Sequence, residues 1–173
     1  MKLDDDDFAL FGLPRRFAID RADLDRRWRE LQSEVHPDRF VAQGAAAQRV
    51  AMQWAVRVNE AHARLEDAVR RGGYLCELAG VPIDAQRNTS MPQAFLLQQL
   101  EWREALDEAC AASDLAPLED QVARAERSLL EALETNLDQR GNAQEAAAQV
   151  RCLMFVRRFR DDIERRLEAF ESP

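Results

Sequence analysis

The sequence is poor in the residues that build metal centres and disulfide frameworks. Its 173 residues include three cysteines and two histidines. Cys76, Cys110 and Cys152 are widely separated and form no Cys-x-x-Cys pair. An odd, scattered set of cysteines favours reduced thiols in the cytoplasm over disulfides or a zinc site. We therefore expect no bound metal and no cofactor.

Long apolar runs and a surplus of positive charge are also missing. No stretch approaches the roughly 18 apolar residues of a membrane-spanning helix. The aspartates at positions 4–7 are the opposite of the basic start of a targeting peptide. With 24 basic and 32 acidic residues the formal net charge is −8, whereas a protein that binds the phosphate backbone needs a basic surface. These features argue against membrane insertion and nucleic-acid binding.

What the sequence does contain is helical periodicity. β-branched residues are sparse, and apolar residues recur at spacings of three and four, which predicts an all-α fold. One helix should begin behind Asp20 as N-cap and end near His36, because Pro37 cannot continue it. A longer helix follows the loop through Gly44. The two should pack antiparallel through two stripes: Leu24, Trp28, Leu31 and Val35, and Val50, Ala51, Trp54, Ala55, Val58, Ala61 and Leu65.

The second half of the chain predicts a three-helix bundle. Its helices should cover about 93–112, 115–138 and 143–170, with Asp114 as a cap and Gly141 as a separator. Before them, Arg70–Gly73 should interrupt the chain and 74–78 should form a short turn or helix. We predict a first domain over 1–75, a connector over 76–91 and the bundle over 92–173. Residues 1–73 are electrically neutral, so the whole acidic excess lies in the second half.

The tripeptide His36-Pro37-Asp38 lies between the paired helices. Proline ends the first helix and leaves an imidazole and a carboxylate at the tip of a rigid hairpin. A carboxylate placed there is suited to bind an arginine of another protein. A helix-ending proline with a capping aspartate is the plainest alternative. A catalytic histidine–aspartate pair is disfavoured, because no nucleophile, glycine-rich loop or second acid accompanies it.

The helix predicted after Pro92 carries apolar residues on two sides. At about 100° per residue, one side forms a core stripe of Phe95, Trp102, Leu106 and Cys110. The opposite side carries Leu96, Leu97 and Leu100, surrounded by Glu101, Glu104 and Asp107. Phe155 also lies off the core stripe of its own helix. An apolar spot ringed by carboxylates is typical of a binding patch, with burial against the connector or the first domain as the alternative.

Several segments together resemble a known family. The Leu-Phe-Gly-Leu-Pro segment at 10–14, the helix before the tripeptide and Val-Asn-Glu-Ala-His-Ala-Arg-Leu at 58–65 resemble a J-domain over about residues 5–75. Phe-Leu-Leu-Gln-Gln-Leu-Glu-Trp-Arg-Glu at 95–104 resembles the scaffold-binding stretch of the HscB family, the J-domain co-chaperones of iron–sulfur cluster assembly. The resemblance implies an N-terminal J-domain helical hairpin and a C-terminal three-helix bundle.

The resemblance also implies a function. HscB-like proteins stimulate the ATPase of a DnaK-like chaperone, HscA, and deliver the iron–sulfur scaffold protein IscU to it, without being enzymes. The chaperone-binding residues would be His36, Pro37, Asp38, Arg26, Arg27, Arg29 and Arg39. The scaffold-binding residues would be Leu96, Leu97, Leu100, Glu101, Glu104 and Phe155. No catalytic residue and no metal ligand is implied.

Two positions depart from the family pattern. Val35 stands where a tyrosine is usual, and His62 replaces an aromatic residue near the end of the long helix, so we expect it at the edge of the core. Neither belongs to the tripeptide. A J-domain co-chaperone for a different client protein is the alternative function, and an enzyme that uses His36 and Asp38 is a more distant one.

Overall fold

The computed structural model describes residues 5–84 and 91–171, and all regular structure within these ranges is helical. The predicted all-α fold is therefore confirmed. The chain divides into two compact units, of which the first ends at Leu75 and the second begins at Cys76. Most of the polar part of the predicted connector, residues 85–90, lies outside the described ranges.

The first unit contains a helical hairpin with the predicted boundaries. Asp20 caps the helix before the tripeptide, since its carboxylate accepts the backbone N–H groups of Ala22, at 2.9 Å, and Asp23, at 3.3 Å. A 3₁₀ segment then begins at Pro37. The elements of this unit are α1 (Asp7–Leu10), α2 (Arg21–Val35), the 3₁₀ segment (Pro37–Gln43), α3 (Ala45–Glu66) and the greater part of α4 (Ala68–Leu78).

The hairpin packs through the two predicted stripes, with one exception. Leu24 of α2 and Val58 and Leu65 of α3 are completely buried. Val35 is buried as well and belongs to the same core, so it keeps its place in the predicted stripe. Val50, in contrast, is 50% exposed, because it lies about 80° around the helix from Val58.

Polar contacts fasten α2 to α3 along the edge of this core. The indole Nε1 of Trp28 donates to Asn59 Oδ1 at 3.0 Å. The Trp28 ring also stacks on His62, with 4.5 Å between the ring centroids. His62 Nε2 lies 2.8 Å from Asp25 Oδ1, and this bond to His62 lowers the pKa of the Asp25 carboxyl. His62 is thus a partly buried residue at the core edge, as expected.

The N-terminal aspartates have structural roles that their charge alone did not indicate. Asp6 caps α1 by accepting the Ala9 N–H at 3.0 Å. The Asp7 side chain is completely buried and pairs with two arginines of α3, Arg57 at 2.7 Å and Arg64 at 3.1 Å. The carboxylate has lost all contact with water, whereas Arg57 and Arg64 keep 22% and 38% of their side-chain surface exposed. We call this group of three side chains the Asp7 clasp.

The expected interruption at 70–73 does not occur. Arg70, Arg71, Gly72 and Gly73 all lie inside α4, and the last three are buried. The Arg71 guanidinium donates to the backbone carbonyls of Phe17, at 2.8 Å, and of Leu65 and Glu66. Because a buried arginine satisfies these carbonyls, the segment is an interior helix, although its composition is that of a loop.

The second unit is a three-helix bundle with an aromatic core. Phe95 meets Trp102 edge to face, and Trp102 stacks on Phe159 with 5.7 Å between centroids. Asp114 is the third residue of its helix, so it caps by reaching back to the N–H groups of Cys110 and Ala111, both at 3.0 Å, and does not stand at the N-cap as predicted. The bundle elements are α5 (Gln93–Glu108), α6 (Ala112–Glu134), a π-helical turn (Thr135–Arg140) and α7 (Ala143–Glu171).

Candidate functional site

The first candidate site is the tripeptide at the tip of the hairpin. Pro37 has no N–H, so the first backbone donor of the 3₁₀ segment that needs a partner is that of Asp38. This N–H is accepted by Nδ1 of His36 at 3.3 Å. The next donor, the N–H of Arg39, bonds to the His36 carbonyl at 3.0 Å. The tripeptide is therefore a locally closed turn whose backbone groups are satisfied by the turn itself.

The tripeptide presents its side chains to solvent. The side chain of Asp38 is 85% exposed and that of His36 is 58% exposed, with 3.7 Å between His36 Nδ1 and Asp38 Oδ2. Pro37 is partly exposed. The guanidinium of Arg39 folds back onto the end of α2, donating to the Ser33 carbonyl at 3.1 Å. The Asp38 carboxylate is thus more exposed than the imidazole of His36 beside it.

The three candidate arginines of α2, Arg26, Arg27 and Arg29, fall into two groups. Arg26 and Arg29 are exposed, as the helical wheel predicts. Arg26 bonds to Asp23 and, at 3.0 Å, to Glu30, while Arg29 forms no ion pair within the described residues. Surface pairs of this kind are worth little, so a partner can displace them at small cost.

Arg27 has a different position. It is partly buried, pairs with Asp23 at 2.8 Å and donates to the carbonyls of Phe11, at 2.8 Å, and Gly12, at 3.1 Å. Gly12 has a left-handed φ of +62°, and a Cβ at this position would lie 3.0 Å from the Arg27 guanidinium. The sequence placed Arg27 with the chaperone-binding arginines, but its observed contacts fix the turn after α1.

The second candidate site is an apolar face on α5, which we call the leucine face: Leu96, Leu97 and Leu100. These side chains are 44%, 56% and 58% exposed, whereas Phe95 and Trp102 on the opposite side are buried. Glu101 and Glu104 are also exposed. The structure therefore keeps the three leucines uncovered within the part of the chain that it describes. Three adjacent exposed leucines with a carboxylate rim have the character of a protein-binding surface.

Phe155 occupies an intermediate position between the core and the surface. It is partly buried, meets Phe95 edge to face at 5.8 Å and stacks on Phe159 at 5.8 Å. Its ring also lies under the guanidinium of Arg103, 5.7 Å from the centroid. Arg103 is seven residues from Leu96, so on the wheel it borders the leucine face. The sequence reasoning missed Arg103, although that spacing could have identified it.

Two grooves described in the second unit lie away from the leucine face. These grooves, of about 480 and 410 Å³, lie beside α5, and neither is lined by a residue of the leucine face.

Within residues 5–84 and 91–171, no three His, Cys, Asp or Glu side chains come together as a metal site. In the same ranges no helix is both long and apolar enough to cross a membrane.

These features describe an all-helical protein with two exposed candidate sites, a charged hairpin tip in the first unit and an acidic-rimmed leucine face in the second. Comparisons with known proteins identify the family. Residues 91–164 match the family model described as the HSCB C-terminal oligomerisation domain. The "Co-chaperone protein HscB homolog" of Burkholderia multivorans is 46% identical, with 99% of each chain covered. That of Bordetella pertussis is 45% identical, with 92% of this chain and 94% of the relative covered. The chain belongs to the HscB co-chaperone family.

Solved structures agree with this assignment. The "Chaperone HscB from Vibrio cholerae" has a TM-score of 0.81 and 32% identity, covering 96% of this chain and 99% of that one. The human co-chaperone protein HscB has a TM-score of 0.87 and 25% identity, covering 95% of this chain and 83% of the human one. The predicted combination of a J-domain hairpin with a C-terminal three-helix bundle is therefore confirmed.

Proposed function

We propose that this protein stimulates the ATPase of a DnaK-like chaperone, HscA, and delivers the iron–sulfur scaffold protein IscU to it in the cytoplasm. The observation that carries the proposal is the exposed Asp38 carboxylate on a turn whose backbone is already satisfied. A carboxylate that needs no partner within its own turn can bind an arginine of the chaperone in a charge-assisted hydrogen bond. Arg26, Arg29 and Arg39 would add positive charge around it.

The leucine face supports the delivery part of the proposal. Leu96, Leu97 and Leu100 would enter an apolar surface of the scaffold, while Glu101 and Glu104 would pair with cations at its rim. Phe155 would contribute the exposed part of its ring. Since one chain would then hold both partners, the scaffold would meet the chaperone at a raised effective concentration.

A steady-state ATPase assay tests the chaperone part. We expect wild-type protein to stimulate HscA and Asp38→Ala to stimulate at least about tenfold less, because one charge-assisted bond is worth about 1.5–3 kcal/mol. Glu34→Ala is the matched control, since it removes an exposed carboxylate four residues before Asp38. If Asp38→Ala stimulates as well as wild type, the proposal is wrong.

The same assay with IscU tests the client. Adding the scaffold should increase stimulation by wild-type protein beyond the sum of the separate effects, because the ternary complex brings both ligands to the chaperone. Stimulation that requires Asp38 but is indifferent to IscU would instead support a J-domain co-chaperone for a different client.

A further inference from the structure

We propose that His36 is a positioning residue: its Nδ1 atom holds the backbone of Asp38 in place, and its contribution to chaperone activation comes through Asp38. This inference rests on the proposed function and goes beyond it, because the sequence assigned His36 to the contact surface itself. The three residues of the turn then have separate tasks. Pro37 sets the entry into the 3₁₀ segment, His36 caps that segment and Asp38 presents the carboxylate.

The geometry of the cap supports this assignment. The backbone of His36 is extended, with φ −61° and ψ 126°, which is the conformation of an N-cap residue. Pro37 follows as the first residue of the segment, so Asp38 has the first N–H without a helical acceptor. The Nδ1 atom of His36 is that acceptor, at 3.3 Å. Without this acceptor, the backbone at Asp38 could rotate and turn the carboxylate away from the chaperone.

The cap requires that the Nδ1 atom of His36 carries no proton. A backbone N–H can bond to Nδ1 only when that atom carries a lone pair, so the proton of the neutral ring must be on Nε2. The acceptor therefore lies two bonds from Cβ. The Oδ1 atom of asparagine lies at the same distance from Cβ, and asparagine is among the best N-cap residues. The polar atoms of glutamine lie one bond farther out, nearer to the position of Nε2.

Two variants separate positioning from contact. We expect His36→Asn to retain stimulation within about twofold of wild type. In His36→Gln the concentration for half-maximal stimulation should rise about fivefold, the usual effect of losing a cap, with the maximal rate unchanged. The reason is that a smaller fraction of the turn would be in the competent conformation. Hydrogen exchange of the Asp38 amide, measured without the chaperone, should accelerate in the Gln variant and remain slow in the Asn variant.

Asp38→Ala, assayed in parallel, distinguishes failure of this inference from failure of the proposed function. If Asp38→Ala is as active as wild type, the proposed function fails. If Asp38→Ala is impaired, three outcomes at position 36 overturn the positioning role alone. If His36→Gln stimulates like wild type and His36→Asn does not, position 36 contacts the chaperone directly, through the atom that lies where Nε2 does in wild type. If neither variant stimulates, the imidazole itself is required. If both stimulate like wild type, the cap is unimportant. Circular dichroism of both variants verifies that the hairpin remains folded.

Discussion

The two units of this protein are stabilised by different kinds of contact. The first unit encloses the carboxylate of the Asp7 clasp completely and holds the His62–Asp25 pair at the edge of its core, while each unit buries one arginine, Arg71 in the first and Arg151 in the second. In the second unit, four aromatic rings pack against one another around Trp102.

The two units also differ in the side chains that they expose at the candidate sites. The first unit presents a carboxylate at its hairpin tip, whereas the second presents leucines on α5. Polar contacts have directional requirements, so they can hold a short turn in one conformation. An apolar face has no such requirement and gains affinity from area removed from water. Apolar side chains are exposed in the first unit as well, Met52 and Val56 of α3 among them, so this contrast concerns the hairpin tip and the leucine face alone.

The largest effect should come from breaking the Asp7 clasp. Asp7→Ala removes a completely buried carboxylate and leaves Arg57 and Arg64 without their partner. We expect the first unit to lose about 3 kcal/mol, since breaking a buried pair from one side typically costs about 3–5 kcal/mol. Segment-resolved hydrogen exchange in urea should show protection lost first in α1–α3. Glu34→Ala should change the unfolding free energy by less than about 0.5 kcal/mol. If Asp7→Ala is as stable as Glu34→Ala, the Asp7 clasp does not stabilise the first unit, and the contrast between the interiors of the two units is wrong.

Truncating two side chains of the leucine face should have a smaller effect, a loss of about 30-fold in affinity for IscU. Leu96→Ala combined with Leu100→Ala removes two exposed side chains that the proposed interface would bury, and since each buried CH₂ group contributes about 0.8 kcal/mol, we expect a loss of about 1 kcal/mol per leucine. Calorimetric titration with IscU measures the loss. The matched control is Met52→Ala with Val56→Ala, a similarly exposed pair one helical turn apart on α3. Helicity and melting temperature should remain near wild type, because the leucines are not core residues. Equal affinity of the leucine variant and wild type would argue for a different client.

The smallest effect concerns thiol chemistry and tests how tightly the second unit is packed. Burial raises the pKa of the Cys76 and Cys152 thiols to about 11, so at pH 8 only about one in a thousand is a thiolate. Cys110 is exposed. Alkylation with iodoacetamide should therefore modify one cysteine rapidly, identified as Cys110 by peptide mass mapping. Because the folded pKa values exceed the ordinary value of 9.0, stability should fall as the pH rises from about 9 towards 11. Rapid alkylation of Cys152 in the native protein would show that the core is open.

Much of this fold is predictable from local signals. Asp20 and Pro37 delimit α2 because capping and the missing proline amide act on neighbouring residues, and the apolar spacing of α5 separates Trp102 from the leucines. The interior helix at 70–73 was not predictable, because it depends on the contacts of Arg71 with carbonyls five to 54 residues away. The Asp7 clasp was not predictable either, because Arg57 and Arg64 lie far from Asp7 in the sequence. A run of aspartates indicates charge, but not which of its members becomes buried.

The candidate site shows the same limit at the level of single residues. The tripeptide and the leucine face could be located from spacing alone. Arg27 could not be separated from Arg26 and Arg29, because its partners are backbone carbonyls of Phe11 and Gly12, and carbonyls are present at every position of a sequence.

The contact between Gly12 and Arg27 makes the cost of a change at one of these positions depend on the residue at the other. Any larger residue at position 12 would meet both a left-handed backbone and the guanidinium, 3.0 Å from its Cβ. If Arg27 were first replaced by a short side chain, the second obstacle would disappear and only the backbone cost would remain. The effects of the two substitutions are therefore not additive. A change at position 27 therefore lowers the cost of a later change at position 12, while the left-handed backbone continues to favour glycine there.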